Sequence, residues 1–145
     1  MNIVVGYVNT PEGEAAVEYG IAEAKLRGAK LVVVHSMVGG DRDDPEDYRR
    51  SAEAMEAVHE RLHSEGIEHC THEFVRGQQP VQDLMAAVDD HDARMIIIGI
   101  RTRSATGKFL LGSNALEILH DAKVPVVCVK RDAAAVIADD SAAAQ

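Results

Sequence analysis

Cysteine is scarce in this 145-residue chain, which holds only Cys70 and Cys128, both in strand-like stretches and without CxxC spacing. That pattern excludes a disulfide framework and a dithiol redox motif, and it fits a reducing compartment. Positive charge is also in short supply. Fifteen Lys and Arg face 24 Asp and Glu, for a formal net charge of -9, so nucleic acid and anionic membrane surfaces are repelled on average. An anionic ligand would have to meet a local basic cluster. No apolar run approaches bilayer-spanning length, and Met1-Asn2-Ile3-Val4-Val5 has neither a basic region nor a small-residue cleavage site. The expectation is a cytoplasmic protein without nucleic-acid or membrane partners.

What is present points to one domain. A 46% hydrophobic content over this length supports a single substantial core. Four apolar runs, Ile3–Val8, Leu31–His35, Met95–Ile98 and Val124–Val129, are rich in β-branched residues and continuous rather than alternating. Strands covered on both faces read this way. Ile67–Val75 has no clean apolar face and reads as an edge strand. Between the runs lie helical stripes: Val17, Ile21 and Ala24, ending at Gly28; Tyr48, Ala52, Met55, His59 and Leu62, ending at Gly66; and Val81, Leu84, Met85 and Val88 behind Pro80. A fourth helix is expected from Ser113 to Ala122. The order β-α-β-α-β-α-β-α-β implies right-handed crossovers and an α/β fold with an open, doubly wound parallel sheet. Its ligand site is expected beyond the carboxyl ends of the strands, after Val8 and Gly99. The domain is expected to span 1–131, and the Ala- and Asp-rich 132–145 to be a flexible tail.

The richest stretch for chemistry runs from Ile98-Gly99 through Arg101, Thr102, Arg103 and Lys108 to Gly112-Ser113-Asn114. It follows a buried strand and leads into a helix. There, glycine lets backbone approach an anion, converging N–H groups bind it, and the helix terminus adds partial positive charge. A Walker A loop is excluded because Thr102 and Phe109 stand where Gly and Ser/Thr are needed, and Gly6-Tyr7-Val8-Asn9 is not a dinucleotide fingerprint. The bland reading is a Gly-containing connection with solvated arginines.

With Gly99, Gly112 and Ser113 at matching spacing, the segment resembles the universal stress protein signature, Gly-x2-Gly-x9-Gly followed by Ser or Thr; Thr102 replaces the middle glycine. The resemblance extends to Ile3-Val4-Val5-Gly6 with Thr10-Pro11-Glu12, to Val33-Val34-His35, to Gly77–Pro80 and to Val124-Pro125-Val126-Val127-Cys128-Val129. It implies a five-stranded sheet of order 3-2-1-4-5 and a homodimer paired through the Val124–Val129 edge. It also implies binding of ATP, AMP or another adenine nucleotide, with Mg2+ as a companion ion. Gly99, Gly112, Ser113 and Asn114 would then hold phosphate, Ile98, Arg101 and Thr102 would belong to the same nucleotide-binding loop, and backbone at His35 and Ser36 would face adenine. Val8 and Asn9 occupy the loop where ATP-binding members carry a carboxylate for ribose or metal. Val8 and Thr102 favour a second reading, a nucleotide-independent interaction module.

Two other motifs compete. His59-Glu60-Arg61-Leu62-His63 is an H-E-x-x-H, but it lacks a third ligand, and His59 is expected to be packed with Met55 and Leu62. Cys70 and His72 share a strand face opposite His69 and by themselves make an incomplete metal site. His120 reads as a helix-dipole partner, and no G-x-S-x-G elbow or other complete catalytic set is present. The expectation is a regulatory protein with at most slow nucleotide hydrolysis.

Overall fold

A computed structural model describes residues 1–36, 45–74, 79–101, 111–133 and 136–137. Five strands, β1 (Asn2–Gly6), β2 (Lys30–Ser36), β3 (His69–Phe74), β4 (Ala93–Gly99) and β5 (Val126–Val129), alternate with four helices, α1 (Pro11–Arg27), α2 (Pro45–Ser64), α3 (Pro80–Asp90) and α4 (Ser113–Asp121). The strands form one sheet of order β3-β2-β1-β4-β5, and every pairing is parallel. Class, element order and strand order therefore match the sequence expectation.

The continuous apolar runs arise because both faces of the sheet are covered. Ile3, Val5, Leu31, Val33 and Ile97 face α1 and α2, where Ala16, Ile21, Met55, Val58 and Leu62 complete one core. The intervening Val4, Val32, Val34, Ile96 and Ile98 face α3 and α4 and pack on Val81, Leu84 and Ile118. At about 1.5–3 kcal/mol for each large aliphatic side chain buried, these two layers are the main source of stability. Ala133 and Ile137, beyond residue 131, pack against the first core; residues 134–135 and 138–145 lie outside the described residues.

Local chemistry sets the helix ends. The Thr10 hydroxyl accepts a hydrogen bond from the Gly13 N–H at 3.1 Å, Pro11 occupies the first turn, and Gly28 closes α1 with a left-handed φ of 63°. Its N–H and that of Ala29 both turn back to the Ala24 carbonyl. Two exposed ion pairs, Lys25–Glu65 and Arg61–Glu18 at 2.5 Å each, tie α1 to the end of α2, and each contributes at most about 1 kcal/mol.

Three expectations are corrected. The first strand ends at Gly6, short of Val8, because the Val8 carbonyl turns to accept from the Thr10 N–H and is covered by Gly13 as α1 begins. The last begins at Val126, past Pro125; proline has no N–H to give the ladder, and only its carbonyl takes part, accepting from Ile96. His59 is exposed, not packed. The buried stripe of α2 is Met55, Val58 and Leu62, and the His59 ring leans outward to His69 of β3, with Nδ1 to Nε2 at 2.9 Å.

Candidate functional site

The strand order reverses between β1 and β4, so the crossover after β1 goes to one side and that after β4 to the other. Where they part, the C-terminal ends of the strands leave a crevice. A cleft of about 130 Å³ lies there, with apolar walls from Val8, Val34, Val81, Leu84, Ile98 and Ile118. Its polar side chains are Ser36, at the end of β2, and Asn114, in the first turn of α4. The Ser36 hydroxyl donates to the buried Asp83 carboxylate in the first turn of α3. That bond ties the base of the cleft to a helix N-terminus, where a carboxylate is favoured.

Val8, Ser36, Ile98, Gly99 and Asn114 are brought together at the cleft. The His35 side chain is directed elsewhere: it is buried on the opposite face, edge-on to Tyr7 with ring centroids 5.9 Å apart, and its Nδ1 lies 3.9 Å from the Glu73 carboxylate. Strand alternation is the reason, since His35 follows Val34. Asn9 lies in the turn just before α1 and does not line the cleft. Val8 is 47% exposed and offers no hydrogen-bonding side chain. Thr102, Arg103 and Lys108 lie outside the described residues.

Gly99 and Gly112 play different parts. A Cβ on Gly99 would stand 2.2 Å from the Glu12 carbonyl oxygen, so this glycine is demanded by the approach of α1. Gly112 has φ -62° and ψ 154°, is the N-cap of α4 and makes no side-chain cap. Among the described residues, a Cβ there would meet nothing within 4 Å. Ser113 is the first helical residue, as expected. Gly112, Ser113 and Asn114 are all exposed, and among the described residues no side chain caps the leading N–H groups of α4.

Beside the cleft, at the ends of β4 and β5, is a second depression of about 520 Å³ lined by Glu12, Arg101, Lys130, Arg131 and Asp132 among others. Glu12 is buried, and its carboxylate lies 3.7 Å from Arg101 Nε. Its own backbone N–H chiefly, then the Thr10 hydroxyl, Arg101 and Arg131, hold this carboxyl below the usual range against the opposing effect of burial. Arg101 thus has an anionic partner within the protein. Lys130 and Arg131 were missed from sequence: they follow the last strand, and only the β4–β5 pairing brings them to Arg101. Alternation past the end of a strand was the one signal that could have found them.

The remaining motifs fall apart or reorganise. His59 and His63 are both exposed, and among the described residues no third ligand joins them. His120 is exposed and bonded to Asp121 at 2.7 Å, which holds its imidazole above the usual range. Among the described residues, no helix is long and apolar enough to cross a membrane.

Comparison with known proteins bears on the whole chain. Residues 1–130 match the description Universal stress protein family. A universal stress protein of Mycolicibacterium smegmatis is 40% identical over 128 residues, covering 88% of this chain and 96% of that protein. The structure of a universal stress protein from Archaeoglobus fulgidus superposes with a TM-score of 0.76 at 38% identity, covering 90% of this chain and 98% of that one. A second Archaeoglobus fulgidus structure, a universal stress protein in complex with dAMP, gives a TM-score of 0.68 at 34% identity, again over 90% and 98%.

Proposed function

The chain belongs to the universal stress protein family, and from that premise we propose that it is a stress-response regulatory protein that binds ATP or another adenine nucleotide at the C-terminal end of its sheet. The base enters the apolar cleft between α3 and α4, and the phosphates lie along Gly112, Ser113 and Asn114. One observation carries this reading: the apolar crevice at the β1/β4 reversal lies beside a helix N-terminus for which the described residues supply no capping side chain and which begins at a glycine that no described residue crowds. Such a terminus attracts an anion. The dAMP complex of the Archaeoglobus fulgidus relative supports the class of ligand.

The donor set does not suit a protein-held Mg2+. None of the described residues lining the cleft carries a carboxylate, Asp83 is engaged by Ser36, and the Val8 side chain has no oxygen to give, whereas Mg2+ requires hard oxygen ligands. Among the described residues lining the cleft there is no His, Lys or carboxylate to act as a base, and the proposed role is binding with little or no hydrolysis.

Titration calorimetry with ATP and AMP, beside native mass spectrometry of the purified protein, tests the proposal. Expected is saturable binding by the natural chain and none by Gly112→Asp, whose carboxylate would repel phosphate. Absence of heat at millimolar nucleotide in a folded protein overturns it. That outcome would favour the nucleotide-independent interaction module, to which the exposed Val8 lends weight. The proposal includes a cytoplasmic setting and a homodimer joined through β5, an edge strand whose free side invites pairing. A monodisperse monomer in light scattering would remove the dimer.

A further inference from the structure

Cys70 and His72 do not make a metal site by themselves, but the fold supplies a third ligand that lies 19 positions from His72. His91 caps the C-terminal end of α3. Its Nε2 lies 3.0 Å from Nε2 of His72, and that nitrogen lies 3.8 Å from Cys70 Sγ. The three ligand atoms all fall within 4.8 Å of one another, and among the described residues no other group of three metal-ligating side chains does so. We propose that Cys70, His72 and His91 form a site for a borderline-soft divalent cation of the Zn2+ type.

The geometry favours such an ion. Bonds of about 2.0 Å to nitrogen and about 2.3 Å to sulfur at tetrahedral angles separate ligand atoms by about 3.3 Å (N···N) and about 3.5 Å (N···S). The two bonded distances here, 3.0 and 3.8 Å, bracket those values. Two ring nitrogens of the same kind pointed at each other can share one proton, or both can aim their lone pairs at one cation. The donors are imidazole, imidazole and thiol, which select zinc-like ions over Mg2+ or Ca2+.

The site is also rigidly built. Cys70 and His72 are alternate residues of β3, held in register opposite Val32 and Val34 of β2. The backbone of His91 is held at both ends: its N–H donates to the Ala87 carbonyl, and its carbonyl accepts from the Asn2 side chain at 2.6 Å. Asp92 follows in a left-handed conformation, φ 48°, which turns the chain into β4. All three ligands are half-buried at the sheet edge, so a water can complete the coordination sphere. The neighbouring charges are mixed, with Asp90 favouring a cation and Lys30 opposing it. On binding, a sulfur–metal bond replaces the S–H bond, the thiol proton passes to solvent, and no electron is transferred. The site joins β3 to the end of α3 opposite the one that lines the nucleotide cleft.

The test uses the full chain freed of metal with a chelator. Co2+ is titrated in and followed by absorption, then Zn2+ by calorimetry. Expected is one equivalent of Co2+ with a thiolate-to-metal charge-transfer band and tetrahedral d–d bands, displaced by Zn2+. Cys70→Ser should abolish the charge-transfer band, and His72→Ala and His91→Gln should each weaken Zn2+ binding at least about tenfold. His59→Ala, on the opposite face of the sheet, should leave both readouts unchanged. If His72→Ala does not fold, His91→Gln carries the test, because its backbone bonds remain. The proposal is overturned by absence of the charge-transfer band, by Zn2+ affinity that survives Cys70→Ser and His91→Gln, or by binding that disappears in His59→Ala.

Discussion

A side chain at Gly99 would meet the Glu12 carbonyl oxygen at 2.2 Å, whereas one at Gly112 would find no heavy atom of the described residues within 4 Å. In sequence the two glycines are equivalent, the outer and last members of one signature. In the structure Gly99 is a packing residue, where α1 crosses the end of β4 so closely that no Cβ can be accommodated. Among the described residues, nothing imposes such an obligation on Gly112. One residue type at two ends of one segment thus serves the fold in one place and, on the proposed reading, the ligand in the other.

The largest effect expected from breaking this contrast is at the packed end. Gly99→Ala should lower unfolding stability by about 3 kcal/mol, because the clash is with backbone and α1 must shift; urea denaturation reads this directly. Next is Ser36→Ala, which leaves the buried Asp83 carboxylate without its hydroxyl donor and should cost about 2 kcal/mol in the same assay. Gly112→Ala should change stability by less than about 1 kcal/mol yet weaken adenine nucleotide binding by roughly tenfold, about 1.4 kcal/mol. A Gly112→Ala protein as destabilised as Gly99→Ala would erase the distinction.

A smaller effect concerns pH. Glu12, whose carbonyl makes Gly99 necessary, titrates below the ordinary carboxylate value of 4.5 in the folded protein. Its ionised form therefore contributes stability that is fully present above that value and is lost as pH falls through the lower folded one. The stability difference between the natural protein and Glu12→Gln should shrink as pH drops through that window, as denaturation at a series of pH values would show. The smallest expected effect is a near-equality: Val8 offers no hydrogen bond to a ribose hydroxyl, so AMP and dAMP should bind within about threefold of each other. A strong preference for AMP would mean that another group reads the sugar.

Much of the fold was legible because its signals are local. Continuous β-branched runs declared a doubly covered sheet, Pro80 marked a helix start, and Gly28 marked a stop. Helix rotation was less legible. His59 sits one position from Val58, and a shift of one residue carries a side chain about 100° around the axis, from core to solvent. The strand ends at Gly6 and Val126 depended on which neighbours the chain met there. Of the candidate site, Val8, Ser36, Ile98, Gly99 and Asn114 were found by their place after strands or at a helix start. Lys130 and Arg131 were not, because their nearness to Arg101 exists only once β4 and β5 pair.

The sequence by itself determined the class and the order of the elements, since periodicity, capping and connection handedness are properties of short stretches. Tertiary structure alone decided which glycine is spent on packing, which basic residues gather around Glu12, and that His91 comes to rest beside Cys70 and His72. These are distances between residues far apart in the chain, and close approach across such separations is set by how helices settle on the sheet rather than by any local pattern.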